Sequence, residues 1–175
     1  MFVAIWHSSL PRVVPLGMAF LAIQKTLFVE IQPFGVIVQV VLAFAASAGV
    51  VGGPERGAIT GFILGIIFDL STGSPLGSTS IAMGVAGYAA GWLDVIRIDT
   101  TWWLAAIFVG AASGIGEFLV PVIRRFVGEE NAFTPDLATV IPVVAVSAAV
   151  LSLVLVPTAR WALRIEPPVW KAPRE

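Results

Sequence analysis

Charged residues in this chain do not spread along amphipathic faces; they gather in short clusters between long apolar runs. Six runs stand out, at about residues 13–29, 34–51, 57–70, 76–93, 101–123 and 137–156. Pro11-Arg12 precedes the first, and Gln24, Lys25 and Glu30 lie at its far end. Ile31-Gln32-Pro33 breaks the chain before the second, because proline cannot continue a helical hydrogen-bond ladder. Gly52-Gly53-Pro54-Glu55-Arg56 reads as a loop, residues 94–100 as a charged loop and 124–136 as a polar one. Uninterrupted apolar runs of this kind predict transmembrane helices. The predicted fold is an all-α polytopic membrane protein, a bundle of about six transmembrane helices. Five is the alternative, because the third run is short for a bilayer that needs about 20 residues. To cross, that run must extend through Ser71-Thr72-Gly73.

Composition agrees with the pattern. Apolar residues make up 58% of the 175 and charged residues 12%, about half the charged share of a soluble domain. Mean hydropathy is +0.95. Nothing outside the apolar runs is long enough to fold separately, so residues 1–175 are expected to form one integral membrane domain. The net charge of −1 and the lack of a basic stripe point away from nucleic acid. There is no cysteine, which excludes disulfides and thiolate metal sites, and no cofactor is expected.

The amino terminus MFVAIWHSSLPR lacks the basic start and small-residue cleavage site of a secretory signal. It reads as an interfacial lead-in with Trp6 near the headgroups, and His7, the one histidine, reads as incidental. Six crossings put both termini on one side. That side carries Arg12, Arg56, Arg97, Arg160, Arg164, Lys171 and Arg174, whereas the other carries Lys25, Arg124 and Arg125. Positive charge stays in the cytoplasm, so both termini are expected inside and the 124–136 loop outside. The sixth run is expected to end at about 156, and in the cytoplasmic tail 157–175 Pro167-Pro168 and Pro173 argue against a long helix, with Trp161 and Trp170 interfacial.

Small residues carry a second periodicity. Gly57, Gly61, Gly65, Asp69 and Gly73 are each four apart, and after Ser74-Pro75 the positions Gly77, Ser80, Gly84, Gly87 and Gly91 alternate three and four. Stripes of this kind let helix backbones approach closely in a membrane. They either face a partner's transmembrane helix or pack this chain's own helices, and two stripes on adjacent helices leave room for both. Gly57, Gly61, Gly65, Gly84, Gly87 and Gly91 are the positions where a partner helix is expected. Asp69, Gly73, Pro75 and Gly77 form the hairpin turn, with the Asp69 carboxylate expected to accept N–H bonds from Ser71, Thr72 or Gly73 and so end its helix.

Acids inside a bilayer face the bundle interior or a wet cavity, because exposing them to lipid costs a few kcal/mol. Asp69 and Glu117 are acids of this kind, each within an apolar run. With Gln24, Lys25, Gln39 and Arg124 they predict an outward-side polar cluster, in which Asp69 or Glu117 pairs with Lys25 or Arg124. Glu117 and Arg124 are seven apart and share a helix face. No Ser/His/Asp set, cysteine nucleophile, phosphate-binding loop or HExxH is visible, so no enzymatic activity is expected.

The run GAITGFILGIIFDLSTGSPLGSTSIAMGVAGYAAGWL resembles the core signature of the rod shape-determining protein MreD family. That signature is a glycine-rich helix ending in Asp-Leu, a short Gly-containing turn, Pro-Leu-Gly, and a helix ending Gly-Tyr. Gly61, Gly65, Asp69, Leu70, Gly73, Pro75, Leu76, Gly77, Gly87 and Tyr88 fill those places. The likeness is close over 57–93 and loose over 12–158, and it departs from the family at Phe34-Gly35, where an acid often stands. The resemblance implies a non-enzymatic subunit of the bacterial elongation machinery in the cytoplasmic membrane. Such a subunit binds MreC and works in one assembly with RodA, a class B penicillin-binding protein and MreB. It also implies a likeness to the substrate-binding subunits of energy-coupling-factor transporters. The rival expectation is therefore a small-molecule-binding transport subunit, with the outward cluster as its pocket. The single tyrosine, and the spacing of three between Ala19 and Ala22 on the first helix, weigh against that rival.

Overall fold

Prolines and glycines set the two tight reversals in the middle of this chain. The computed structural model describes residues 10–28, 30–96, 101–129 and 136–165. The expectations placed on Trp6, His7, Arg97, Trp170, Lys171 and Arg174 lie outside the described residues. Among the described residues there are five helices: α1 (Leu10–Thr26), α2 (Val40–Thr72), α3 (Ser78–Val95), α4 (Trp102–Phe126) and α5 (Leu137–Leu163). A 3₁₀ turn, Pro33–Gly35, lies between α1 and α2. The described residues are helix, turn and coil, with no strand. Among the described residues three helices, Val40–Thr72, Trp102–Phe126 and Leu137–Leu163, are long and apolar enough to cross a membrane.

The 33 residues of α2 are not one rod. Gly53 has φ 80° and ψ 176°, a combination essentially confined to glycine. A Cβ placed on Gly57 would lie within 2.5 Å of the Gly49 Cα. Eight residues along a straight helix would separate those positions by about 12 Å. The chain therefore doubles back at Gly53 into two antiparallel arms, 40–52 and 54–72. Pro54 opens the second arm, where its fixed φ and missing N–H cost nothing. The expected loop 52–56 thus contracts to Gly52-Gly53. The second arm extends through Ser71 and Thr72, and Gly73 caps it at φ 68° with its N–H on the Asp69 carbonyl at 3.0 Å.

Two expected boundaries are corrected. The second run is not helical from Phe34: the chain passes the 3₁₀ turn, is extended at Val36 (φ −105°, ψ 131°), turns at Gln39 (φ −86°, ψ 74°), and only then becomes helix. Val36, Ile37 and Val38 are β-branched and suit an extended backbone, and Val36 and Val38 are buried there. At the other end of the chain, α5 does not stop at residue 156. It continues through Pro157 to Leu163, with Arg164 as the left-handed cap at φ 54°. Burial of Ala159, Ala162 and Leu163 and the Arg12 guanidinium 5.0 Å above the Trp161 ring hold this last segment against the bundle.

The first arm of α2 is the centre. Every residue from Val40 to Val50 is buried, and the arm is apolar all round, as a fully enclosed helix is. Phe20 of α1 packs on Phe44 with ring centroids 4.8 Å apart. At one end of the bundle Gln24 meets Gln39, Lys25 meets Ser71 and Arg124 meets Ser74. At the other, Arg12 meets Trp161, and Gly52 and Gly53 approach Leu163 and Asp94. With the arms of α2 counted separately, the described chain passes between these two ends six times.

Candidate functional site

The glycine stripes face each other. A Cβ on Gly57, Gly61 or Gly65 would fall within 3 Å of the α3 backbone at Gly87, Met83 and Ser80 respectively. A Cβ on Gly87 would strike the Gly57 carbonyl, and one on Gly91 would strike Pro54. Gly49, which the stripe reading passed over, joins the same seam against Gly87 and Gly91. The signal was available: Gly49, Gly53 and Gly57 continue the four-residue spacing backwards, but they straddle a reversal that periodicity alone does not show. Five of the six glycines assigned to a partner helix are thus covered by this chain's own backbone. Gly84 differs, since a Cβ there would meet nothing closer than the Ala58 carbonyl at 3.4 Å. The reason is geometric. Two small-residue stripes on consecutive helices joined by a short turn are already aligned, and closing on each other needs no second chain.

Asp69 is fully buried, and its carboxylate spans the hairpin. Oδ2 accepts the Gly77 N–H at 2.9 Å, the Ser80 N–H at 3.3 Å and the Ser80 hydroxyl at 3.0 Å, while Oδ1 accepts the Thr79 N–H at 3.3 Å. The Thr79 and Ser80 N–H groups are unpaired donors of the first turn of α3, and Gly77 is the residue that precedes it. The expectation that Asp69 bonds Ser71, Thr72 or Gly73 is corrected: it caps the start of the next helix instead of ending its own. A carboxylate at a helix N-terminus also meets the positive end of the helix dipole. Gly77 supports this with φ 99° and Gly73 with φ 68°, both left-handed, so the turn at Ser74-Pro75 is tight enough to bring α3 under the carboxylate. Lys25 and Arg124 donate elsewhere, Lys25 Nζ to the Ser71 carbonyl and Arg124 Nη2 to the Ser74 hydroxyl at 3.2 Å.

Gln24 does a similar job one helix earlier. Its Oε1 accepts the Val41 N–H at 3.1 Å, in the first turn of α2, and its Nε2 donates to Gln39 Oε1 at 3.0 Å. A side chain of α1 thereby supplies the cap that Gln39, the residue preceding α2, does not make with its own side chain.

The remaining polar residues converge at the same end. Gln39, Glu117 and Arg124 line one cavity of about 330 Å³, together with the hydroxyl residues Thr72, Ser74 and Thr79 and an apolar floor that includes Leu42 and Met83. Lys25 stands apart, on a more open apolar groove between Met18 of α1 and Ile67 and Leu70 of α2. The expected cluster is therefore two features: a polar cavity held by α2, α3 and α4, and a lysine at the α1–α2 seam. Sequence reasoning missed Thr72, Ser74 and Thr79 as cavity residues, since isolated hydroxyls in a turn carry no periodic signal. Among the described residues no group of three acidic or histidine side chains could hold a metal ion.

No protein-family model, curated protein or solved structure matches the chain.

Proposed function

We propose that this protein is a membrane scaffold subunit of the bacterial cell-elongation machinery, similar to the MreD family. It binds MreC in the cytoplasmic membrane and helps to position peptidoglycan synthases, RodA and a class B penicillin-binding protein, together with MreB. The observation that carries the reading is that the residues of the resemblance are those of the closed hairpin. Gly61, Gly65 and Gly87 lie in its seam, and Asp69 and Gly77 in its clasp. A motif that specifies a rigid hairpin suits a part whose work is to hold other helices in place.

In this reading all six passes cross the bilayer, both termini are cytoplasmic, and the polar end with Lys25, Ser74 and Arg124 faces outward. The excess of basic residues at the opposite end supports that orientation. With the glycine seam filled from within, a partner helix meets the outer face of the hairpin. There Ile66 and Leu70 of α2 and Ile81, Val85, Tyr88 and Trp92 of α3 are exposed at helical spacing.

The test is co-purification in mild detergent with the MreC of the same genome. A stable complex that survives Gly84→Ala and is lost in Tyr88→Ala with Val85→Ala, both variants still folded, is the expected result. No complex with wild type would overturn the scaffold reading. The rival, a small-molecule-binding transport subunit, has one observation in its favour, the cavity beside Glu117 and Arg124. Recovery of an ATPase module with the purified protein would favour it.

A further inference from the structure

Buried polar atoms in proteins are almost always paired, so each unpaired one calls for a physical reason. Among the described residues three buried side-chain atoms have no hydrogen-bond partner: Thr79 Oγ1, Ser113 Oγ and Arg124 Nε. Two of the three belong to residues, on different helices, that line the same cavity at the polar end. Thr79 is 4% exposed, and its backbone N–H is already committed to Asp69, which fixes where its hydroxyl sits. Arg124 is held by its Nη2 bond to Ser74, and this leaves the Nε–H to meet a second acceptor. A guanidinium and a hydroxyl side chain lining one space can both donate to an anionic oxygen placed there.

Glu117 lines the same cavity two helical turns further into the bundle than Arg124, about 10 Å along α4. A carboxylate at that depth attracts a group that is cationic and donates hydrogen bonds. Gln39 lines the wall as well and can serve either end of such a ligand. The volume, about 330 Å³, is at the small end of ligand sites and suits a headgroup or an amino-acid-sized molecule. We infer that this cavity binds a small zwitterionic group, its anionic oxygen held by the Arg124 guanidinium and the Thr79 hydroxyl and its primary ammonium by Glu117. Two sources offer that chemistry, the headgroup of an ethanolamine phospholipid and a free zwitterion such as O-phosphoethanolamine. The inference stands on the cavity alone and does not depend on which protein partners the chain has.

The full-length protein, purified in detergent, is exchanged into vesicles of phosphatidylethanolamine, phosphatidylcholine or phosphatidylglycerol, and lipid retention is read by native mass spectrometry. Phosphatidylcholine has the phosphate but no N–H donor, and phosphatidylglycerol has no cation. Retention of phosphatidylethanolamine is expected to exceed both by roughly tenfold, the discrimination that one charge-assisted hydrogen bond gives. Thr79→Val is expected to lower that retention severalfold while leaving the melting temperature in lipid-free detergent unchanged or raised, because it removes an unpaired buried hydroxyl. Glu117→Gln is expected to erase the preference over phosphatidylglycerol. If the source is a free zwitterion, O-phosphoethanolamine raises the melting temperature of wild type in detergent without phospholipid, and Thr79→Val abolishes the shift. Equal retention of all three lipids with no response to the free compound overturns the inference. So does wild-type retention in Thr79→Val, a variant whose fold the detergent melt verifies independently.

Discussion

Asp69, near the end of α2, holds Ser80, in the first turn of α3, at two points: the backbone N–H at 3.3 Å and the hydroxyl at 3.0 Å. Both bonds end on one carboxylate oxygen, which also takes the Gly77 N–H at 2.9 Å. The contact ties the end of one helix to the start of the next in a fully buried site, where water cannot replace either partner.

Replacing that carboxylate should separate acceptance from charge. Asp69→Asn keeps one acceptor oxygen and should cost about 1–2 kcal/mol, while Asp69→Leu strands several buried donors and should cost about 3 kcal/mol or more. Reversible unfolding in detergent mixtures measures both. Equal losses would show that the negative charge itself is required.

The glycine seam separates positions that sequence spacing treats alike. Gly65→Ala puts a methyl against the Ser80 backbone and should destabilise by about 1–3 kcal/mol, since backbone cannot move aside as a flexible side chain does. Gly84→Ala, with 3.4 Å to its nearest neighbour, should be neutral or slightly stabilising, because alanine suits a helix better by up to about 1 kcal/mol. Thermal melts of the pair check the prediction, and an equal loss at both sites would remove the close-packing argument.

Gly53 and Gly73 both have positive φ, but they are not equivalent. Gly73→Ala meets nothing within 4 Å and lies near the ordinary left-handed helical region at φ 68°, ψ 18°, so it should cost only about 1–2 kcal/mol. Gly53→Ala asks for φ 80° with ψ 176°, and places a methyl 3.2 Å from the Asp94 carboxylate. It should cost about 3 kcal/mol or open the reversal between the two arms. Limited proteolysis at 52–56 together with unfolding would read either result.

Gln24→Leu should remove the cap on the first turn of α2 and cost about 1–3 kcal/mol, the penalty for a stranded buried N–H. Gln24→Glu keeps an acceptor for Val41 and should lose less. The ratio of the two, from melts in the same detergent, reports the value of the Val41 bond.

Topology can be read directly, because the chain has no cysteine of its own. In intact cells Ser74→Cys should react with a membrane-impermeant thiol reagent, and Glu55→Cys only after permeabilisation. Reaction of both from outside would place Gly53 and Ser74 on the same face and remove the six-crossing reading.

Much of the helical organisation was legible from composition and punctuation. The stop at Gly73, the reversal near Gly52-Gly53-Pro54 and the turn at Ser74-Pro75 follow from residues whose own backbone preferences are strong. The segment 36–39 was not legible, because apolar β-branched residues read equally well as helix or extended chain when periodicity is absent. The end of α5 was misplaced for a related reason: Pro157 looks like a stop, but burial of Ala159 and Leu163 outweighs the one hydrogen bond that proline removes.

The sequence by itself determined the apolar character of the long helices, the helical class and the fact that two small-residue stripes would be close to another backbone, since these depend on composition and local spacing. Only the tertiary structure decided which backbone that was, that Asp69 starts α3 instead of finishing α2, and that Thr79 and Arg124 reach one cavity from separate helices. Those are relations between residues far apart in sequence. They depend on the angle at which the chain reverses at Gly53 and Ser74, and an error of a few degrees there moves a side chain at the far end of a helix by several ångströms.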